Sequence, residues 1–231
     1  MTKLTRREAL VGAAATAAGV MVASTTGASA QLLKRRNSGG KGKKLTNKDF
    51  YDAEGNFLPE KAKEAYYAMF KKMGYPMSDA AKELFWVADF GMGDFVNCGM
   101  GGIFWYNNQE ECYFGHEIFL LPNQMIPEHK HLKTEKGKPK HEAWLIRHGH
   151  VYNFAAVGKK DEKMLAMIPE SQKKSATVRS AKKAMPGEVQ ELPEIGCFHF
   201  MMAGPEGAIA TEFGTFHDND GLRFANPKAK M

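Results

Sequence analysis

The sequence has 231 residues, of which 43% are hydrophobic and 25% charged, and it carries a formal net charge of +6. Residues 1–30 contribute +2 and residues 31–48 contribute +7, so residues 49–231 carry a net charge of −3. A folded part with this balance has no surplus of cations for phosphates, so no nucleic acid is expected as a partner. Its length suits one domain with a sizeable core.

The first thirty residues are typical of an export signal. Arg6 and Arg7 precede a run rich in Ala, Gly and Val, and Ala28-Ser29-Ala30 forms a small-residue cleavage site. This pattern predicts a twin-arginine signal peptide, cleaved after Ala30, and a periplasmic or secreted protein that meets the membrane only during export. A transmembrane helix is the alternative, but the apolar stretch is short and rich in alanine.

The next segment, residues 31–48, is strongly basic. It contains seven lysines and arginines, no acidic residue, and Ser38-Gly39-Gly40 in its middle. This composition predicts a disordered basic linker, so the domain proper is expected to span residues 49–231.

The chain then changes from helical to strand patterning. In residues 59–73, apolar residues recur at helical spacing, and Ser78 is placed to cap a second short helix. Beyond residue 94, short apolar runs are broken by Gly, Pro and Asn, which indicates a succession of strands. The runs are 102–106, 117–121, 143–147, 150–155, 196–202 and 208–216. We therefore expect a mainly β fold, a sandwich or barrel, with short N-terminal helices.

The three cysteines, Cys98, Cys112 and Cys197, are too few and too far apart for a disulfide framework. One pair could oxidise outside the cytoplasm, and the spacing leaves this open.

The strongest chemical motif combines His129, His131, Glu142 and His199. Residues two apart on a strand share a face, so His129 and His131 can reach one ion. Glu142 begins the next strand, and His199 follows a turn that leads into a later one. Three imidazoles and a carboxylate suit a divalent ion such as Mn²⁺, Fe²⁺, Co²⁺, Ni²⁺ or Zn²⁺. Without a shared ion, these side chains would be costly to bury.

Other acidic and histidine residues are weaker candidates for ligands. Glu135 lies in a run of lysines and glycine that is typical of an exposed loop. His148 and His150 repeat the spacing of the first pair, but they flank Gly149, where a turn is expected and side chains diverge. The other histidines are also expected to be bystanders; they are His116, His141 and His217.

The metal motif resembles the two-part signature of the cupin superfamily, HxH…E…G followed by G…P…H. Six residues separate Glu142 from Gly149, as in the signature, whereas the loop between His131 and Glu142 is longer than usual. The resemblance implies that residues 49–231 form a cupin (jelly-roll) barrel.

Four stretches of the domain resemble the D-lyxose ketol-isomerase family: residues 87–95, 117–131, 137–142 and 203–213. The family implies a Mn²⁺-dependent homodimer that interconverts D-lyxose and D-xylulose, often with activity on D-mannose and D-fructose. This chemistry needs a group that moves a proton between two carbons and another that handles a hydroxyl proton.

Glu212 and Lys140 are the candidate catalytic residues. Glu212 shares its face with Ala208, Ala210 and Gly214, which leaves room for a ligand, and it is the candidate base. Lys140 lies two residues before Glu142 and matches the family's lysine. Trp144 could form a sugar platform on the same face. Alternatively, Glu212 makes a structural salt bridge and Lys140 is a solvated loop lysine. For the whole protein, the alternatives are a non-haem metal dioxygenase with the same ligands and a non-catalytic, periplasmic sugar-binding cupin.

Overall fold

A computed structural model describes residues 44–231. The predicted signal peptide, residues 1–30, and residues 31–43 of the predicted linker lie outside the described residues. Within the described part, no helix is both long and apolar enough to span a bilayer.

The ordered part of the fold begins slightly before residue 49. Leu45 packs against an apolar core, and a short 3-10 helix spans Asn47–Asp49. The side-chain amide of Asn47 donates a hydrogen bond to Asp94 (2.7 Å) and accepts one from the backbone N–H of Val96 (3.0 Å). The last residues of the predicted linker are therefore tied to the domain.

Two helices precede the sheet, as predicted. Helix α1 spans Pro59–Met73 and ends before Gly74, whose φ of 69° is the left-handed conformation common at helix ends. Helix α2 spans Asp79–Leu84, and the hydroxyl of Ser78 accepts a hydrogen bond from the backbone N–H of Ala81 (3.1 Å). The predicted cap is confirmed.

In residues 44–231, nine strands form one antiparallel sheet that curls into a half-barrel, which confirms the mainly β cupin fold. In chain order they are β1 (Trp86–Ala88), β2 (Met100–Asn108), β3 (Tyr113–Leu120), β4 (His129–His131), β5 (Glu142–Ala155), β6 (Ser180–Ala184), β7 (Val189–Glu191), β8 (His199–Gly214) and β9 (Leu222–Phe224). The path runs β1-β2-β3-β8-β4-β9, and β5 pairs with β8, β6 and β7. Helices α3 (Glu162–Leu165) and α4 (Glu170–Lys173) connect β5 to β6.

The two longest strands, β5 and β8, each replace two predicted strands. The turn expected at Gly149 is wrong: Gly149 lies inside β5, opposite Ala208 of β8, between two register shifts. Its φ of 67° makes a bulge in the ladder instead of ending it. A Cβ at Gly149 would lie 2.0 Å from the carbonyl oxygen of Gly207, so this close approach requires glycine.

Strand β8 carries an irregularity that shifts its side-chain phase by one residue, since Ala203 and Ala208, five residues apart, pair with Val151 and Gly149, which are two apart on β5. Before it, Met201 and Ala203 point into the barrel core; after it, Ala208 and Ala210 do. Because of this shift, an odd-numbered residue at one end, His199, and an even-numbered residue at the other, Glu212, both face the interior.

Alternating residues of each strand divide the apolar side chains between separate cores. On β3, Ile118 faces the barrel interior, whereas Phe119 packs outward with Tyr66 and Phe70 of α1. A third cluster, which includes Phe154 and Phe200, lies under the segment of α3 and α4. The helices thus cover parts of the outer face and leave the interior to the site.

Candidate metal centre and active site

The four predicted metal ligands lie together in the wall of one cavity. Strand β4 contributes His129 and His131, Glu142 is the first residue of β5, and His199 is the first residue of β8. His129 and His199 are direct cross-strand partners. One donor atom from each of the four residues lies within 4.8 Å of the others. Donors bound to a single ion at about 2.0–2.2 Å require a comparable spacing.

Backbone carbonyls orient two of the imidazoles. The Nδ1 atom of His129 lies 2.9 Å from the carbonyl oxygen of Pro127, and Nδ1 of His199 lies 3.0 Å from that of Cys197. Since a carbonyl can only accept, Nδ1 carries the proton in both rings and Nε2 keeps its lone pair. This outer contact is the usual way to fix a metal-binding histidine.

The atoms that face each other in this cluster fit a cation. Nε2 of His131, Nε2 of His199 and Oε1 of Glu142 are buried and have no hydrogen-bond partner among the described residues. Glu142 Oε1 lies 2.7 Å from His199 Nε2 and 3.5 Å from His131 Nε2. Burial, together with the neighbouring His199 and His131, holds the pKa of His129 well below its usual value. Neutral imidazoles and a carboxylate are ligands for a divalent metal ion.

Lys140 and Glu212 adjoin this cluster, and both side chains are buried. The ammonium of Lys140 lies 2.8 Å from Glu142 Oε2 and also binds Glu212 Oε1. Burial alone would lower the pKa of Lys140, but Coulombic attraction to the two carboxylates outweighs it and raises the pKa above its usual value. Gly214 leaves room for this lysine, because a Cβ there would lie 3.0 Å from Lys140 Cε.

The ligands and the Lys140–Glu212 pair line one cavity of about 590 Å³, part of it open to solvent. Its remaining wall is largely apolar and aromatic, and it includes Trp144, the predicted sugar platform. The other apolar lining residues are Trp86, Phe90, Met100, Phe104, Phe114, Ile118, Ile126, Met201, Leu222, Phe224 and Met231.

Two histidines expected to be bystanders line this cavity. The imidazole of His116 is buried, and its Nδ1 lies 2.9 Å from Glu212 Oε2. The His217 ring centroid lies 5.8 Å from that of His131. The alternation Phe114, His116, Ile118 on one strand face could have placed His116 inside, whereas His217 follows the last long strand and has no comparable signal.

The remaining alternative ligands stay apart from the cluster. His150 lies near Tyr152 (3.3 Å) and Glu206 (3.6 Å), and Glu135 and His141 are exposed. All three cysteines are free thiols, with Cys98 buried and Cys112 exposed. Glu142, and not Glu135, is the carboxylate that lies with the three histidines.

No family model matches the chain. Solved structures with the same fold include two L-ribose isomerases. The enzyme of Acinetobacter sp. DL28, in complex with L-ribose, superposes with a TM-score of 0.58 at 11% identity, over 78% of this chain and 95% of that one. The enzyme of Cellulomonas parahominis gives 0.58 at 12% identity, over 79% and 95% of the chains.

Sequence similarity is stronger to curated isomerases. A D-lyxose/D-mannose isomerase of Thermosediminibacter oceani is 34% identical over 168 residues, which cover 72% of this chain and 90% of that protein. A D-lyxose ketol-isomerase of Thermofilum sp. is 31% identical over 173 residues, covering 75% and 94%. With this identity over most of both chains, on a cupin barrel with a histidine–glutamate cluster, the chain belongs to the D-lyxose ketol-isomerase family.

Proposed function

We propose that this protein is a metal-dependent aldose–ketose isomerase that interconverts D-lyxose and D-xylulose and also accepts D-mannose and D-fructose. The observation that carries the proposal is the buried Lys140–Glu212 pair, which shares one cavity with the ligand cluster. The proposed sugar substrates are taken from the names of the similar isomerases.

The two residues suit an isomerisation through an enediol. Glu212 takes the proton from C2 of the open-chain aldose and returns it to C1. Lys140 gives a proton to O1 and later receives the proton of the C2 hydroxyl, so atoms and charge balance across the cycle. The bound metal ion supplies a Lewis acid for the sugar oxygens. The apolar wall excludes water from the enediol.

We propose Mn²⁺ as the resident ion. The proposal is supported by the donor set, since three imidazoles and one carboxylate form a borderline-hard site that can hold Mn²⁺. Which divalent ion such a site holds also depends on which metal is available. Metal analysis of the protein as purified tests this directly. One equivalent of Zn²⁺ or Fe²⁺, with no gain in turnover on exchange for Mn²⁺, would contradict it.

The central experiment pairs a sugar screen with a carboxylate substitution. The Mn²⁺-loaded protein is offered D-lyxose, D-xylulose, D-mannose and D-fructose, and products are resolved by chromatography. Glu212→Gln should lose turnover while it keeps bound metal; Glu206→Gln, at an exposed position of the same strand, should behave as wild type. An active Glu212→Gln variant excludes Glu212 as the base, and a wild type inert on all four sugars refutes the proposal.

The dioxygenase and the non-catalytic sugar-binding readings are not favoured. A dioxygenase needs no ionised pair beside its metal, and a binding protein needs no buried base. Lys140 and Glu212 are both buried in the cavity wall. Burial of two charged groups carries a desolvation penalty, and such groups are found preferentially at functional sites.

We also propose a homodimer, formed through the outer face of the sheet. Tyr106, Tyr113 and Phe213 lie on neighbouring strands of this face and are about half exposed, at 48%, 50% and 48%. Exposed aromatic groups of this kind are enriched at interfaces. Light scattering after size-exclusion chromatography should give twice the chain mass, and Phe213→Lys should shift it towards the monomer. A monomeric wild type contradicts this.

The periplasmic or secreted location remains a proposal, supported by Arg6, Arg7 and the small-residue site that ends at Ala30. Expression of the full chain with Arg6→Lys and Arg7→Lys should retain the unprocessed protein in the cytoplasm. Wild-type protein should instead be found outside it, with Gln31 as its first residue. An uncleaved, cytoplasmic wild type would contradict the proposal.

A further inference from the structure

The candidate base Glu212 is held by both carboxylate oxygens. Oε1 binds the ammonium of Lys140, and Oε2 lies 2.9 Å from Nδ1 of His116. Each oxygen has two lone pairs, so two hydrogen bonds fix the plane of the carboxylate and still leave acceptor sites for a substrate proton.

The ring of His116 is itself fixed in place. It lies parallel to the indole of Trp86, with an interplanar angle of 4° and centroids 5.7 Å apart, and it contacts Phe104 at a centroid distance of 4.6 Å. The opposite strand supplies Gly102, where a Cβ would lie 2.4 Å from His116 Nε2. The glycine gives this ring the space that it occupies.

The hydrogen bond also determines the tautomer of His116. An ionised Glu212 can only accept, so Nδ1 carries the proton. Burial lowers the pKa of His116 against the opposing effect of Glu212, which favours the neutral ring. Nε2 has no hydrogen-bond partner among the described residues, as expected for the nitrogen without a proton. The imidazole thus supplies a donor without adding a second cation beside Lys140.

We propose that His116 is the positioning residue of Glu212, holding Oε2 so that the carboxylate faces the carbon that exchanges its proton. This rests on the proposed isomerase function. Nothing in the chemistry requires His116 to touch the sugar. Its effect is expected in the proton-transfer step, because a misplacement of about 1 Å can cost roughly 100-fold in rate.

Three substitutions separate this role from simple packing. His116→Phe keeps the stacked ring and removes the donor. His116→Asn places an amide where Nδ1 lies, and His116→Gln places it nearer the position of Nε2. In the Phe variant, we expect kcat to fall about 100-fold while KM stays within about threefold of wild type. The Asn variant should have a kcat at least about tenfold higher than the Phe variant, and the Gln variant should not.

A kinetic isotope effect supplies a readout that packing alone would not change. With aldose deuterated at C2, the isotope effect on kcat should be larger in the Phe variant than in wild type, since proton abstraction becomes limiting. Melting temperature and bound metal should be measured for every variant, so that losses of fold or of metal are recognised. Equal kcat values for the Phe, Asn and Gln variants at normal metal content overturn the proposal.

A measurement independent of turnover separates this inference from the proposed function. Nitrogen-15 NMR of the Zn²⁺-loaded protein should show His116 neutral, protonated at Nδ1 and bare at Nε2. A proton on Nε2 overturns the inference, because Nδ1 could not then donate to Glu212. A wild type inert on all sugars, or an active Glu212→Gln variant, refutes the catalytic proposal whatever the NMR result.

Discussion

The two halves of the site are assembled in different ways. In the metal half, His129 and His131 are two residues apart on one short strand, and Glu142 and His199 are the first residues of their strands. In the half proposed for proton transfer, Glu212 meets Lys140 across 72 residues and His116 across 96 residues. Only the pair His129 and His131 is local, and Glu142 and His199 join it from other strands; the second half depends on the register of β3 with β8 and on Lys140, which precedes β5.

The halves also differ in charge. Burial and neighbouring histidines hold the pKa of His129 low, whereas Glu142 raises the pKa of His199 against the effect of burial; this half offers three imidazoles and one carboxylate to a cation. In the other half, the ammonium of Lys140 pairs with Glu212 and also contacts Glu142 of the metal half. Loss of a metal ligand should therefore abolish metal binding, whereas loss of Lys140 should destabilise the fold.

The largest effect is expected from His199→Ala. Mutation of a residue that only hydrogen-bonds a metal ligand typically lowers metal affinity about 10- to 100-fold. Loss of the ligand His199 itself should lower the affinity further, and turnover should be lost. Added metal should stabilise the wild type by about 4 kcal/mol at 1,000 times its Kd, and should stabilise the variant far less. Calorimetry and thermal melts measure both, with the exposed His141→Ala as the control. Equal stabilisation of the His199 variant would contradict the ligand assignment.

Gly149→Ala should damage both halves at once, because Gly149 packs against Gly207 in the irregular segment of β8 that lies between His199 and Glu212. The new methyl group would lie 2.0 Å from the Gly207 carbonyl at a φ of 67°. Strain and overpacking together should cost about 4 kcal/mol of unfolding free energy. Chemical denaturation tests this against Gly187→Ala, where φ is 89° but a Cβ meets nothing within 4 Å. A loss no greater than in this control would show that the bulge can relax.

The sequence alone was sufficient to predict the class of fold and the grouping of His129, His131, Glu142 and His199. Alternation on a strand places His129 and His131 together, and the spacing from Glu142 to Gly149 selects the carboxylate. Helix α2 and its cap at Ser78 also follow from local rules, since their contacts lie within a few residues.

The rest depends on contacts between distant residues. Gly149 was expected to end a strand, because glycine is common in turns; only its contact with Gly207 makes it a bulge. His116 was expected to be a bystander, since its role requires the register that places it opposite Glu212. The register of β3 with β8 cannot be predicted from one sequence, because it depends on contacts between residues that are far apart in the chain.

Lys140→Met should destabilise the protein by about 3 kcal/mol, because Glu142 and Glu212 would remain buried without their shared cation. Adding Glu212→Gln should restore part of this loss, and a double-mutant cycle measures the coupling. Urea denaturation of the four proteins in chelator, where no metal compensates the charge, gives the free energies. Additive effects would show that the two side chains do not interact.

The smallest effect is expected at His217, between the two halves. Burial, followed by the charge of Lys140, lowers the pKa of His217 to about 3, whereas an unfolded histidine titrates near 6.5. Between these values the unfolded chain binds a proton that the folded chain does not, so stability falls as pH falls.

His217→Asn should remove this dependence. Between pH 6.5 and 4.5, the wild type should lose about 1–2 kcal/mol more than the variant. Denaturation in chelator at both pH values measures the difference, with His141→Asn as the exposed control. Parallel pH curves for the wild type and His217→Asn would mean that His217 already titrates normally in the folded state, and that the Lys140 charge does not reach it.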